Sequence, residues 1–459
     1  MNREKMAWTI SVLLLALLAF QIPHGLAQRD NDYAFVRTLV DIHRQVTNNY
    51  VEAVDQQKLE EGAIKGMMGQ LDPFSVFVPP AQQEDFDRML EGSFKGVGIQ
   101  LNQLPDGRIE VVTPIDGSPA FKAGVEAGDI ILKANGDTLD GLSLDDVIKK
   151  IGGRLGSTVT LRVKHTTGEE VDLTMTREEI VVPTVKGFSR KADNSWDYYV
   201  CDNPKIAYIR ITQFTPDTAQ KVKDALTPLM GDAIKGLIMD LRWNPGGRLD
   251  EAEKLVNLFI NHGVIVSTKG RNRPETIATA HSDTFTFPDF PMIVLVNEHS
   301  ASASEIVSGS LMDNKRAVVV GTRSYGKGSV QELIPLEGNS GELKLTVAYY
   351  YLPSGRLVHR KKDSTDWGVD PQIVVPMDDA TEARVMRERY EAEIFHRPTP
   401  KTSTHPATDA SSQPTTQPLD TQLQAAINAL VVDTIFHGEH HEVAVNIGPP
   451  PTTQPATKP

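Results

Sequence analysis

The feature that most constrains the fold is a mainly apolar run, Met292 to Asn297, which leads into a stretch of small residues ending at Glu305. The run has the length of a buried strand, and the alanine and serine residues after it favour the start of a helix. A second apolar run, Ala317 to Gly321, leads into a glycine-rich loop. Strands that alternate with helices in this way predict an α/β core.

Two residues that follow these strands can together perform acyl transfer. Ser302 lies at the predicted helix start, where backbone N–H groups can stabilise an oxyanion. Lys327 lies between Gly326 and Gly328. Burial of its amine would lower its pKa, and a neutral lysine is a general base. The alternative for Ser302 is an ordinary helix N-cap, which Ser300 and Ser304 could also provide.

The lysine loop also comes close to a phosphate-binding motif, because Gly321 precedes Gly326-Lys327 at the appropriate spacing. That motif requires Ser or Thr directly after the lysine and a helix beyond it, whereas this chain has Gly328 there. The residues from Ser329 to Leu336 predict a strand. The pattern therefore argues against nucleotide binding.

The runs Ser300-Ala-Ser-Ala-Ser-Glu305 and Tyr325-Gly-Lys-Gly-Ser-Val-Gln331 resemble the C-terminal processing peptidases, also called tail-specific proteases. The resemblance covers roughly residues 33 to 395 of the chain. It implies a mixed α+β protease core of the ClpP/crotonase-like type. It further implies that Ser302 is the nucleophile, Lys327 the base and Gln331 the residue that orients the lysine.

The same resemblance implies two backbone donors for the oxyanion. One is the N–H of Ala303, and the other belongs to a glycine of the turn Asn244-Pro-Gly-Gly247. Gly247 is favoured over Gly246, and a plain left-handed turn is the alternative.

Residues 91–178 predict a separate β-rich module. Its strands are expected at Ile109–Val112, Asp129–Ala134, Thr158–Lys164 and Val171–Met175, and its helix at Ser143–Ile151. Gly96-Val97-Gly98-Ile99, with the later run Ser118 to Asp129, resembles a PDZ domain. The resemblance implies that the amides of Gly96, Val97, Gly98 and Ile99 hold a peptide carboxylate while the peptide adds as a strand. A glycine turn in an ordinary barrel is the alternative.

The chain divides into seven predicted segments. They are a signal peptide or anchor (1–27), a helical N-terminal segment (31–90), the PDZ domain (91–178), the peptidase core (180–395), a Pro/Thr/Ser-rich linker (396–419), a C-terminal helix (420–436) and a disordered tail (437–459). Within the core, Lys235–Arg242 and Glu342–Leu352 predict strands, and Leu249–Ile260 predicts a helix.

The N-terminus predicts export. Arg3 and Lys5 precede an apolar stretch from Ala7 to Phe20, which is short for a membrane span and typical of a signal sequence. Small residues up to Ala27 offer a cleavage site. An uncleaved anchor is the alternative, with membrane association through residues 7–20. We expect a periplasmic or cell-envelope protein in either case.

Composition excludes several classes of partner and chemistry. A formal net charge of −13 argues against nucleic acid. The single cysteine, Cys201, allows no intramolecular disulfide and is favoured as a packing thiol. His437, His440 and His441 could ligate a metal, but a solvated patch is favoured, and we expect neither a metal nor another cofactor.

These patterns together predict an exported serine endopeptidase that binds proteins or peptides with accessible C-termini. An inactive PDZ scaffold that only binds such termini is the alternative from another class. A serine–lysine amidase is a third reading, and the PDZ-like module argues against it. Whether an adaptor or a second copy of the chain takes part is left open by the sequence.

Overall fold

The computed structural model describes residues 34–283, 285–394 and 420–437. The predicted signal segment, the linker and nearly all of the predicted tail lie outside these ranges. Contacts divide the chain into two compact units, one of Met1–Pro79 with Pro335–Lys344 and the other of Pro80–Ile334 with Leu345–Pro459. No helix within the described ranges is both long enough and apolar enough to cross a membrane.

The helices are numbered in chain order. They are residues 34–49 (α1), Gln56–Met68 (α2), Pro80–Glu91 (α3), Pro119–Ala123 (α4), Leu144–Ile151 (α5), Thr218–Met230 (α6), Leu249–Asn257 (α7), Ala303–Asp313 (α8), Asp379–Glu393 (α9) and Thr421–His437 (α10), with a short 3₁₀ helix at Glu337–Asn339.

The strands are numbered in the same way. They are Val76–Val78 (β1), Ser93–Gly96 (β2), Ile99–Gln103 (β3), Ile109–Pro114 (β4), Ile130–Ala134 (β5), Asp137–Thr138 (β6), Thr158–Lys164 (β7), Glu170–Thr176 (β8), Glu178–Val181 (β9), Val185–Lys186 (β10), Ser189–Arg190 (β11), Trp196–Asp197 (β12), Tyr199–Asp202 (β13), Lys205–Ile211 (β14), Gly236–Asp240 (β15), Val264–Gly270 (β16), Arg273–Thr279 (β17), Met292–Val296 (β18), Val318–Gly321 (β19), Ser329–Pro335 (β20), Glu342–Tyr351 (β21) and Ile373–Val374 (β22).

The first unit is helical with one short strand pair. Asp55 caps α2 by accepting the Lys58 N–H at 3.2 Å. After α2 the Asp72 carboxylate accepts the N–H groups of Phe74 and Ser75 at 2.8 and 3.0 Å, which forms a tight turn. Strand β1 then pairs antiparallel with the first three residues of β21.

The PDZ module is a sheet in the order β3-β4-β5-β7-β8, with β6 on β5 and a separate β2–β9 pair. Alternate residues of β7 (Val159, Leu161 and Val163) are fully buried, as a strand with one core face requires. Helix α5 packs Val147 into the same core and is capped by Ser143. The strands and the helix predicted for this module are confirmed, with ends that differ by up to two residues.

The segment predicted as the peptidase core is built on a parallel sheet in the order β14-β15-β18-β19-β22, with β10 and β13 antiparallel to β14. All residues of β15 and β18 are buried, because helices cover both faces of the sheet. Leu237 and Val294 face the core that contains α6, α7 and α8. Ile238 and Leu295 face α10, which confirms the predicted α/β architecture.

A second sheet carries the late strands. β16 pairs antiparallel with β17 and with Tyr349–Tyr351 of β21, and β20 also pairs with β21. The strand β20 begins directly after the lysine loop. Because no helix opens there, the phosphate-binding alternative fails on geometry.

Candidate active site

Ser302 occupies a sharp turn between β18 and α8. Its backbone has φ 56° and ψ −115°, a left-handed conformation that costs a non-glycine residue on the order of 1–3 kcal/mol. Its side chain is half-buried, while Ala301 and Ala303 on either side are buried. A turn held in this strained form requires support from the residues packed around it.

Part of that support comes from the two neighbouring serines and the turn after β15. The Ser300 hydroxyl donates to the Leu241 carbonyl at 2.9 Å. The Ser304 hydroxyl and the Ala301 N–H both donate to the Asn244 carbonyl at 3.0 Å. The turn that begins at Asn244 is therefore tied directly to the serine loop.

Two backbone N–H groups at this junction are available to a ligand. Among the described residues, no group accepts the N–H of Ala303 or that of Gly247. The N–H of Gly246 instead donates to the Asn244 side-chain oxygen at 2.8 Å. A Cβ built on Gly246 would lie 2.7 Å from Ser302 Cβ and 3.0 Å from Ala303 N, so only glycine allows this approach. These contacts favour Gly247 over Gly246 as the second oxyanion donor.

The lysine loop is packed against a backbone segment. A Cβ on Gly328 would lie 2.5 Å from the His359 nitrogen, and one on Gly326 would lie 2.7 Å from the Trp367 ring. Lys327 between them is half-buried. Its carbonyl accepts the Tyr350 hydroxyl at 2.6 Å, and that hydroxyl lies 3.1 Å from the Ser302 carbonyl.

Glu305 joins the serine loop to the lysine loop. One carboxylate oxygen, Oε2, accepts the N–H groups of both Ser302 and Lys327, each at 2.8 Å. The other, Oε1, accepts the Ser324 hydroxyl at 2.5 Å and the Gly326 N–H at 2.7 Å. Burial raises the pKa of Glu305, and these four hydrogen bonds oppose that rise.

The predicted orienting residue, Gln331, lies on β20. Its amide nitrogen donates to the hydroxyls of Ser329 at 2.8 Å and Thr346 at 3.2 Å. These bonds fix the side chain on the strand that continues from the lysine loop. Its action on Lys327 stays a prediction.

The motifs did not assign roles to Glu305, Tyr350 or Asn244. Each of them bonds to the serine loop, and Glu305 and Tyr350 also bond to the lysine loop. The signal for Glu305 was its place three residues after Ser302, where a helix-start carboxylate can reach back to the N-cap amide. Tyr350 lies on a distant strand, and nothing near it in sequence indicates this contact.

The predicted carboxylate loop of the PDZ module has its carbonyl groups engaged. The Val97 carbonyl accepts the Ala120 N–H at 2.9 Å, and the Gly98 carbonyl accepts the Ile115 N–H at 2.8 Å. Among the described residues, no acceptor meets the N–H groups of Val97 and Gly98. Such a loop presents donors to an anion.

The edge of the PDZ sheet faces the peptidase core. β3, which starts at Ile99, is the terminal strand of its sheet. Ile99 and Gln100 line a cavity of about 440 Å³ that is also lined by Trp243 and Arg389. Trp243 directly precedes the turn that carries the predicted oxyanion glycine, so the lining of this cavity includes a residue next to that turn as well as the start of β3.

Two groups of three side chains within the described ranges have metal-compatible spacing. They are Glu126, Asp129 and His165 in the PDZ module, and Glu298, His299 and Glu382 beside the serine loop. Asp129 already pairs with its histidine at 2.7 Å, and Glu382 accepts the Trp243 indole N–H at 3.1 Å. Neither group needs a metal to satisfy these carboxylates. Of the predicted histidine patch, His440 and His441 lie outside the described residues.

Comparison with known proteins gives three family matches along the chain. The model of peptidase family S41 matches residues 205–375, and that of the PDZ domain matches residues 110–165. The model of the activating protease CtpB N-terminal domain matches residues 23–80.

Individual proteins match over most of the chain. A carboxy-terminal-processing protease of Bartonella bacilliformis (strain ATCC 35685 / KC583 / Herrer 020/F12,63) is 38% identical over 350 residues, which cover 75% of this chain and 76% of the relative. The carboxy-terminal processing protease CtpA of Bacillus subtilis (strain 168) is 34% identical over 339 residues, with 73% and 68% covered. A solved photosystem II D1 C-terminal processing protease shows 26% identity and a TM-score of 0.43, covering 78% of this chain and 98% of its own.

The S41 core and these relatives define the chain as a serine-type peptidase. More closely, it belongs to the C-terminal processing proteases of peptidase family S41, and it carries a PDZ domain.

Proposed function

We propose that this peptidase is an exported endopeptidase that captures protein C-termini with its PDZ domain and cleaves through a Ser302/Lys327 dyad. The observation that carries the proposal is the shared carboxylate oxygen of Glu305, which binds the backbone of both residues. Loops that follow two neighbouring parallel strands are thereby held side by side. An inactive scaffold that only binds C-termini would not require the Ser302 and Lys327 loops to be held together.

The proposed reaction is acyl transfer through the serine hydroxyl. The neutral Lys327 amine takes the proton of the Ser302 hydroxyl while Oγ attacks the scissile carbonyl carbon. The N–H groups of Ala303 and Gly247 donate to the oxyanion that forms. The protonated lysine then gives its proton to the leaving amine as the C–N bond breaks. Water, activated by the same amine, hydrolyses the acyl-enzyme and restores Ser302.

The PDZ part of the proposal is supported by the free amides of Val97 and Gly98 and by the terminal position of β3. A peptide that adds to β3 places its carboxylate at these amides. The partners are therefore proteins or peptides with accessible C-termini. The predicted signal segment, residues 1–27, supports export to the periplasm or cell envelope.

The test is cleavage of an unfolded protein by the full chain and by Ser302→Ala and Lys327→Ala. We expect each single variant to lose nearly as much activity as the double variant, because the two side chains act as a unit. A fluorophosphonate should label the wild type at Ser302 and fail to label Ser302→Ala. In the wild type, kcat/KM should rise as pH rises through the free-enzyme pKa of the base.

Matched controls are Ser340→Ala and Lys362→Ala, which alter an exposed serine and an exposed lysine outside both motifs. They should retain wild-type rates. Retained activity in folded Ser302→Ala or Lys327→Ala would refute the dyad, and a rate abolished by a metal chelator would point to metal-dependent chemistry instead.

A further inference from the structure

A buried arginine lies directly before the turn that carries the predicted oxyanion glycine. The Arg242 side chain is fully buried between two aspartates. Asp240, two residues earlier, accepts from its Nη2 at 2.7 Å. Asp420, 178 residues later in sequence, accepts from Nη1 at 2.9 Å and from Nη2 at 2.8 Å. Two carboxylates, one at the end of β15 and one directly before α10, therefore bind the same guanidinium group.

The charges of this cluster balance only when Asp420 is counted. Arg242 and Arg389 both pair with Asp240, which also accepts the Tyr208 hydroxyl at 2.8 Å. Burial works against the charge of Asp420, but the facing Arg242 guanidinium outweighs it and lowers the pKa of that carboxyl. Without Asp420, two buried guanidinium groups would share a single carboxylate.

Asp420 belongs to a helix that has its own attachment to the core. Ala426 and Leu430 of α10 are buried against the sheet, where Ile238 and Leu295 form part of the same cluster. The Gln422 amide nitrogen also donates to the Val375 carbonyl at 2.9 Å. The Asp420 carboxylate also caps α10 by accepting the Leu423 N–H at 3.0 Å, and an asparagine side chain can make the same cap. Loss of the Asp420 charge can therefore be separated from loss of the helix.

The backbone on both sides of Arg242 is bonded to the nucleophile loop. The Leu241 carbonyl accepts the Ser300 hydroxyl, and the Trp243 N–H donates to the Asn297 side chain at 2.9 Å. The Asn244 carbonyl accepts the Ala301 N–H at 3.0 Å. A shift of Arg242 would therefore move the turn and the serine loop relative to each other.

We propose that Asp420 is a positioning residue for peptide hydrolysis, which acts through Arg242 to hold the oxyanion turn against the Ser302 loop. The proposal rests on the serine chemistry put forward above. It assigns the C-terminal helix a part in the reaction, although none of its residues touches the reacting atoms. The helix supplies one carboxylate that the core sheet lacks.

The test uses Asp420→Asn in the full chain, which keeps the shape of the side chain and removes its charge. We expect kcat to fall by about 10- to 100-fold with KM little changed, because a small displacement of oxyanion donors costs turnover rather than binding. Fluorophosphonate labelling of Ser302 should slow in parallel. Hydrogen exchange should still show α10 protected.

The control is Gln424→Ala on the same helix, whose amide nitrogen bonds to the Asn428 side chain one turn on and not to Arg242. It should keep wild-type kcat. Wild-type kcat in Asp420→Asn, or a loss that follows only the unfolded fraction or the exchange of α10, would overturn the proposal. If Asp420→Asn does not fold, the kcat of folded Asp420→Glu is measured instead. A lowered kcat in that variant supports the positioning role, and a wild-type kcat contradicts it.

Different experimental results would refute the dyad and the positioning role of Asp420. Activity in Ser302→Ala would refute the dyad whatever Asp420 does. An inactive Ser302→Ala with a fully active Asp420→Asn would leave the dyad standing and refute the positioning role alone.

Discussion

Replacement of Glu305 by glutamine should disable the active site, although the side chain keeps its size. Four donors lie within 2.8 Å of the carboxylate, two at each oxygen: the N–H groups of Ser302 and Lys327 at Oε2, and the Ser324 hydroxyl and Gly326 N–H at Oε1. The Tyr350 hydroxyl lies farther from Oε2, at 3.4 Å. An amide has one oxygen and one NH₂ group. Whichever way it turns, its NH₂ group faces two of these donors and cannot accept from them.

The expected cost follows from this count. Two hydrogen bonds are lost and their donors stay buried, at about 1–3 kcal/mol each. The neutral amide avoids the burial penalty that raises the Glu305 pKa, which offsets part of the loss. A net loss of about 3 kcal/mol in the free energy of unfolding corresponds to a fall in Tm of roughly 6–12 °C for a domain of this size. Turnover should fall by more than about 100-fold, because in either orientation one of the two loops loses bonds that hold it against the other.

The measurements are thermal unfolding and the rate of cleavage of an unfolded protein. Glu298→Gln is the matched control, since this exposed carboxylate on the same loop accepts one hydrogen bond, from the Thr322 hydroxyl. It should keep the wild-type Tm and rate. If Glu305→Gln also kept both, the inference that this carboxylate holds the two loops together would be refuted.

Three further outcomes are expected. A peptide with a free C-terminal carboxylate should bind the full-length Ser302→Ala protein more tightly than its C-terminal amide in calorimetric titration, and equal affinities would exclude a carboxylate site at Val97 and Gly98. Gly246→Ala should lose about 100-fold or more in kcat, because its Cβ would meet Ser302 Cβ at 2.7 Å, while Gly62→Ala meets nothing within 4 Å and should keep the wild-type rate. The lowered pKa of Asp420 means that its stabilisation is present above the ordinary aspartate value of about 3.9 and is lost as pH falls through the lower folded value. The Tm difference between wild type and Asp420→Asn should therefore narrow in acid, and a constant difference would contradict this.

The sequence predicted several of the elements that have a strong apolar pattern. The buried strand before Ser302, the strand after Lys327 and the C-terminal helix all occur within one or two residues of their expected limits. Helix α9 was not predicted, because only Thr381 and Val385 in it are buried and it shows no apolar stripe. Strand β17 is exposed at nearly every position and has no alternation to recognise.

The residues of the candidate site likewise divide into those that the local sequence predicts and those that it does not. Ser302 and Lys327 stand in compact motifs, so short stretches of sequence identify them. The contacts of Tyr350 and Asp420 depend on pairing between segments far apart in the chain, which local periodicity does not encode. The polar groups that hold the site together are therefore visible only once the chain is folded.

The close packing around Gly326 and Gly328 bears on how this loop would change over evolutionary time. Both glycines are required by the neighbouring backbone and ring, whether or not the residue between them removes a proton. A descendant that had lost proteolysis would be free to replace Lys327 while its two glycines stayed under selection for folding. Retention of the two glycines in a relative therefore indicates common descent, and only retention of the lysine between them indicates proteolytic activity.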